Sequence, residues 1–361
     1  MLASPRLLIY IQIQRSPCKA SPRCATRGPF LIKRARILSI KPYLTTPEQK
    51  AALIKQKGYF GNVPLTDDQT SSLDHINFHY FLGYAKNYGM LQRRGIYSGA
   101  PNPQDVFDLI DIDRQISALL FSLIRDAELH LRNLTVQCFC EENSPTSYLN
   151  EERLQPLSRE YTARDVVAGI LKELYRYDED YVVEKIKLRA AEMGVEPPRR
   201  YTAADHDKCL ELVSDIELWG AIDAFTLGQL GKFIMASDAH TESAANRTWR
   251  KIARAMEINA GVFSTGVESL AVTRNLICHH ARLWMRPANN SPKKPKVFNK
   301  DLRSVDPKSQ LMAFANIALF QVPSRRQTAM DQILGIVNSN PLYRYGITQT
   351  SHKERGNTVL S

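Results

Sequence analysis

Residues 268–286 read Glu-Ser-Leu-Ala-Val-Thr-Arg-Asn-Leu-Ile-Cys-His-His-Ala-Arg-Leu-Trp-Met-Arg. This segment holds side chains that can move protons and bind phosphate. On a helix turning about 100° per residue, Asn275, His279, Arg282 and Arg286 recur at i, i+4, i+7 and i+11, which predicts one polar face. Leu276 and Leu283 fall on another side and can anchor it. An imidazole that titrates near neutrality serves as acid or base. Guanidinium groups bind phosphate bidentately and stabilise charge developing on it. Asn275, one turn from His279, can hold its ring in one tautomer. These are the parts for metal-free RNA cleavage by attack of a 2′-hydroxyl on the adjacent phosphate, a reaction that excludes DNA. No cofactor is expected.

The spacing raises a difficulty. Arg274 and His279 lie five residues apart, about 140° around an ideal helix, and do not face each other. Either the arginine wraps round, or the helix is distorted, or two copies meet in a homodimer with a composite site. Arg282, Trp284 and Arg286 form a second group, able to contact phosphate and to stack on a base. Against this stands the reading that the histidines and arginines knit a helical bundle together, and that Trp284, just before Pro287, packs into the core.

The elements around the segment are helical. Thr45 or Thr46 caps a helix with Pro47 at its first position, and Gly58 stops it. Leu73, Ile76, Tyr80 and Tyr84 follow helical spacing. The long helix from Asp105 to Asn133 carries the stripe Leu109, Ile112, Ile116, Leu119, Leu123, Ala127 and Leu131. Glu128 and Arg132, four apart, form a pair worth tenths of a kcal/mol if solvated. Further helices are expected from Asp165, from Glu179 to Met193, and from Leu210 to Ile234. Two more are expected in 247–285, split at Gly261 to Gly266, and shorter ones over about 307–321 and 324–338. No alternating strand pattern occurs, so the fold class is all-α. The domain reading is a basic leader or mis-assigned start over 1–40, a helical domain over 41–287, a linker over 288–306, C-terminal helices over 307–340 and a disordered tail over 341–361.

The net charge of +11 does not by itself indicate a nucleic-acid surface, because it is terminal. Residues 1–41 hold nine Lys or Arg and no acid, and residues 286–361 hold twelve bases against four acids, leaving about −6 for the body. No helix-turn-helix with a basic recognition helix is evident, which disfavours DNA binding. Six cysteines fit neither a zinc framework nor a disulfide scaffold, so no metal site is expected and a reducing cytoplasm is the default. No run of about 18 apolar residues occurs, and no membrane span is expected.

Several blocks together resemble a known family. Arg274-Asn275-x-x-x-His279-His280-x-Arg282-Leu283-Trp284-x-Arg286 is similar to the signature of the bacterial Abi (AbiD/AbiF-like) phage-resistance proteins of the HEPN superfamily. Lys41-Pro42 with Thr45 and Glu48-Gln49, Ile76 to Tyr84, Asp113-Arg114 with Glu128 and Arg132, and Trp219 with Phe225 to Leu230 resemble its other blocks, in order. The resemblance spans about residues 41–287. It implies a HEPN-like helical bundle, and an Arg-x4-His motif implicated in RNA cleavage. Arg274 and His279 are then the leading catalytic pair, with Asn275 positioning and His280 a rival for the histidine role. It implies an abortive-infection endoribonuclease acting on cellular or phage RNA. The alternative is a non-catalytic RNA-binding or toxin–antitoxin module partnered with a small non-coding RNA. A protein-only regulatory scaffold is a third reading.

Overall fold

In the computed structural model, the described residues are 43–237, 246–288 and 290–349. The expected basic leader over 1–40 lies outside them, as does the end of the expected tail from residue 350. Among the described residues the chain is all-α, with fourteen helices and no strand. None of those helices is long and apolar enough to cross a membrane.

The helices begin where local chemistry starts them. α1 (Pro47–Lys57) opens on a capping box between Thr46 and Gln49 and closes on Gly58 in the left-handed region. α2 (Asp67–Ser72) has the same box from Thr66 and Gln69. α3 (Phe78–Arg93) is capped by Asn77, and α4 (Pro103–Cys140) by Asn102 with Pro103 in its first turn. At 38 residues α4 runs about 57 Å. Leu109, Ile112, Ile116, Leu123, Ala127 and Leu131 of its stripe are buried, with Leu119 partly covered.

The middle of the chain holds α5 (Ala163–Tyr177), α6 (Asp180–Met193), α7 (His206–Leu212), α8 (Leu218–Ala221) and α9 (Leu227–Ala236). The single helix expected from Leu210 to Ile234 is thus three pieces. Arg132 occupies one of the breaks, donating to the carbonyls of Ile222 and Phe225. Those carbonyls bond a guanidinium from α4 where a continuous helix would have used them internally.

α10 (Thr248–Ala255) and α11 (Ala260–Cys278) divide at Met256 to Asn259, not at the glycines. Gly261 and Gly266 lie inside α11. A β-carbon at Gly266 would collide with the Phe320 ring, so the glycine serves close packing here. α12 (Gln310–Leu319) is buried at every residue and lies against α4 and α11. α13 (Arg326–Asn338) also packs on α4, and α14 (Pro341–Thr348) follows. The expected tail therefore begins with a helix, capped by Asn340 and burying Leu342, Tyr343 and Ile347. From Leu44 on, the described residues form one compact unit around α4 and α12.

Candidate functional site: the end of α11 and the turn that follows

α11 carries Arg274 and Asn275 in its last turns and ends at Cys278. The His279 amide still bonds the Asn275 carbonyl at 3.0 Å, so those residues sit one turn apart as spacing predicts. The chain then turns. His280 adopts φ 51°, its amide bonds Ile277 O at 3.0 Å, and the Ala281 amide bonds Leu276 O at 2.8 Å. This is a Schellman closure with histidine in the left-handed position usually held by glycine. Met285 has φ 55°, a second non-glycine residue in that region within six positions.

The turn corrects the expected continuous face. Asn275, Cys278, His279 and His280 are exposed and Arg274 is half-buried. An Arg274 Nη donates to Asn275 Oδ1 at 3.2 Å, so the amide engages the arginine and does not orient the His279 ring. Among the described residues neither imidazole has a hydrogen-bonded partner. Arg274 and His279 share one end of α11 without touching through hydrogen bonds, and the helix distortion lies after them, not between them.

Arg282, Trp284 and Arg286 leave that face. The Arg282 guanidinium donates to Gly83 O on α3 and lies over the Tyr84 ring, 5.7 Å from its centroid. Burial pushes its pKa down, and the nearby Arg286 charge adds to that. Arg286 is half-buried. Trp284 is 0% exposed. Its ring stacks on Tyr84 at 5.8 Å with planes 1° apart, and its Nε1 donates to Leu342 O at 3.0 Å. A side chain so enclosed has no face for a base. Of the two readings open for Trp284, the structure places it in the core, and it holds the Arg282 guanidinium against α3.

What bends the chain is a buried carboxylate. Asp113, 1% exposed on α4, accepts from the Leu283 amide at 2.8 Å and from the hydroxyls of Tyr84 and Tyr343. The Trp284 amide also favours its charged form. Burial pushes the Asp113 carboxyl up from the usual range, while these donors pull it down. Tyr80 OH lies 2.9 Å from Tyr84 OH, extending the network. Tyr84 and Tyr343 are raised well above the usual phenol range, first by desolvation and then by Asp113.

Three helices thus meet behind the motif: α3 through Tyr84, α4 through Asp113, and α14 through Tyr343. Met285 N donates to Gly346 O at 3.0 Å, adding a backbone tie to α14. Sequence reasoning missed this role for Asp113 and Tyr343. The available signal was an acid at 113 beside the apolar stripe of α4, where a lone carboxylate needs donors.

A second buried join links two of the sequence blocks. Arg132 pairs with Glu128 at 2.5 Å and bonds Phe225 O at 2.6 Å and Ile222 O, the two side chains being only 13% and 21% exposed. Of the exposed pair or polar contact that the spacing allowed, it is the polar contact, mostly buried and reaching two carbonyls.

A family model described as Abi-like protein matches residues 71–285, which includes α3, α4, the Arg132 clamp and the whole of α11. No curated protein and no solved structure matches the chain.

Proposed function

The chain belongs to the Abi-like family, and from that premise we propose that it is an abortive-infection protein whose α11 terminus cuts RNA without a metal. The observation that carries this reading is the exposure of Asn275, His279 and His280 beside Arg274, on a turn held by a buried carboxylate. Free imidazoles at the surface can reach a substrate, whereas histidines knitting a bundle would be enclosed and bonded. In the proposed reaction one histidine takes the proton of a ribose 2′-hydroxyl. That oxygen attacks the adjacent phosphorus, the 5′-oxygen leaves with a proton supplied by an acid, and a 2′,3′-cyclic phosphate remains. His279 is the leading histidine, with His280 its rival, and Arg274 offsets charge on the phosphoryl oxygens.

A single chain offers Arg274 and His279 at the same end of α11 without a direct bond. Two copies with their α11 ends together would supply both histidine sets to one phosphate, so a homodimer is part of the proposal. The test is cleavage of mixed cellular RNA by the full chain in EDTA, beside Arg274→Ala and His279→Ala. Cuts ending in 2′,3′-cyclic phosphate, absent from both variants, support the reading. Intact RNA with a folded protein under every activating condition overturns it.

One contact favours a second reading. Arg274 is committed to Asn275 rather than to a histidine, which suits a surface that binds RNA without cutting it. RNA that co-purifies intact, and is lost on Arg274→Ala, favours that module, including a partnership with a small non-coding RNA.

A further inference from the structure

Residues 290–308 follow the family-matched region and carry a concentration of basic charge. In sequence most of this segment falls in the linker expected over 288–306. In the structure they form a strap fixed to the bundle at several points. Phe298 and Leu302 are buried at 0% and 1% exposure, and Pro292 and Pro295 are also covered. The Ala288 amide donates to Lys308 O at 2.8 Å, which joins the two ends of the strap where the chain leaves the motif. Gln310 Nε2 holds Pro287 O at 3.2 Å at the same place. At the far side, Lys293 N donates to Thr265 Oγ1 at 3.1 Å and Asn316 Nδ2 reaches Lys293 O at 3.3 Å. Thr265 lies near the start of α11, about 20 Å along that helix from His279.

The strap's apolar side chains mostly turn inward and its cations turn out. Lys293, Lys296, Lys300, Arg303 and Lys308 are all exposed. Among the described residues none of the five has a carboxylate within ion-pair distance. Elsewhere Arg114, Arg164, Arg176 and Arg189 have acidic partners, while Lys55, Lys57, Lys86 and Lys187 are exposed without one among the described residues. What sets the strap apart is five such cations within sixteen positions of one fixed segment. Of the strap's own two acids, Asp306 is buried and receives the Lys308 amide at 2.8 Å. A row of like charges on a fixed backbone repels itself unless a polyanion lies across it. Because the backbone is already ordered, binding costs little loop entropy. A membrane-seeking segment would present an apolar face to the bilayer, whereas Val297 is the strap's single exposed large apolar side chain.

We propose that the 290–308 strap is a phosphate-binding track for single-stranded RNA, holding the strand whose reacting bond lies at the His279 turn. The proposal rests on the RNA reading of the motif, and it separates from the nuclease reading because binding is measured without cleavage. In a full-length His279→Ala background, labelled single-stranded RNA of about twenty nucleotides is titrated at several salt concentrations. Changing Lys293, Lys296 and Lys300 together to Ala removes three exposed cations, with an unchanged melting curve as the folding control. The expected result is at least tenfold weaker binding at low salt. The slope of log affinity against log salt falls by about 2, since each phosphate contact to a single strand contributes about 0.7.

With His279 intact, the same triple substitution raises KM on the long RNA and leaves kcat unchanged. On a dinucleotide, too short to span the roughly 20 Å of α11 between the turn and Lys293, both parameters stay as they were. Strap-dependent binding with no cleavage by any protein keeps the track and sinks the nuclease. Cleavage with the same KM and the same salt slope in the triple variant sinks the track. Strap-dependent sedimentation with phosphatidylserine vesicles, and no binding of RNA, also overturns it in favour of a lipid surface.

Discussion

The Asp113 carboxylate receives the backbone amide of Leu283 at 2.8 Å, across 170 positions of chain. That bond ties the first third of α4 to the residue four places after His279. With the hydroxyls of Tyr84 and Tyr343 on the same carboxylate, it fixes where the chain goes after α11 and therefore where the two histidines stand.

The buried acid makes a prediction about pH. Burial raises the Asp113 carboxyl above its ordinary value of 3.8, so between the two values the folded chain keeps a proton that the unfolded chain has released. The stability this group contributes is fully present below the unfolded value and is lost as pH rises through the folded one. The stability advantage of the wild type over Asp113→Asn should therefore shrink with rising pH, as read from urea midpoints from about pH 4 upward. An advantage that grew with pH would mean that the donors outweigh burial.

α14 should hold the motif in place. Tyr343→Phe removes one donor from a buried carboxylate and should cost about 1–3 kcal/mol. Gly346→Ala places a β-carbon against the Trp284 indole, and should be worse than Tyr343→Phe because the ring cannot move away from Tyr84. Thermal unfolding of the two variants checks both the sign and the order.

His280 at φ 51° stores backbone strain that glycine would relieve. His280→Gly should raise stability by up to about 1 kcal/mol. The outcome for RNA cleavage discriminates between the two histidines. Activity that survives in the stabilised variant leaves His279 as the working imidazole, and activity that vanishes places the function at His280.

The Arg132 clamp should matter more than an exposed pair. Arg132→Ala strands Glu128 and two backbone carbonyls, and should cost about 2–4 kcal/mol. Arg132→Lys retains the charge but cannot fork across both carbonyls, and should recover only part of the loss. Chemical denaturation of the three proteins tests this.

Much of the architecture was legible in the residues. Apolar spacing along α4, the threonine cap before Pro47 and Gly58 are local signals, and local hydrogen bonding enforces them. The helix breaks were less legible. Gly261 and Gly266 read as a boundary, yet both lie within α11, and at Gly266 it is Phe320 and Asn316 that stand where a side chain would have been. The Leu210 to Ile234 stretch read as one helix, yet Arg132, far away in sequence, takes two of its carbonyls.

The candidate site divides in the same way. The sequence by itself determined which groups are present, Arg274, Asn275, His279 and His280, and that Asn275 and His279 stand one turn apart, because a helical register depends only on near neighbours. Where Arg282, Trp284 and Arg286 go was decided only in the tertiary structure. Their positions depend on Asp113 capturing the Leu283 amide and on α14 covering the indole, contacts between residues 58 to 230 positions apart. A carboxylate buried without those donors would be too costly to keep, so the long-range bonds, and not the helical period, set the turn on which the histidines are exposed.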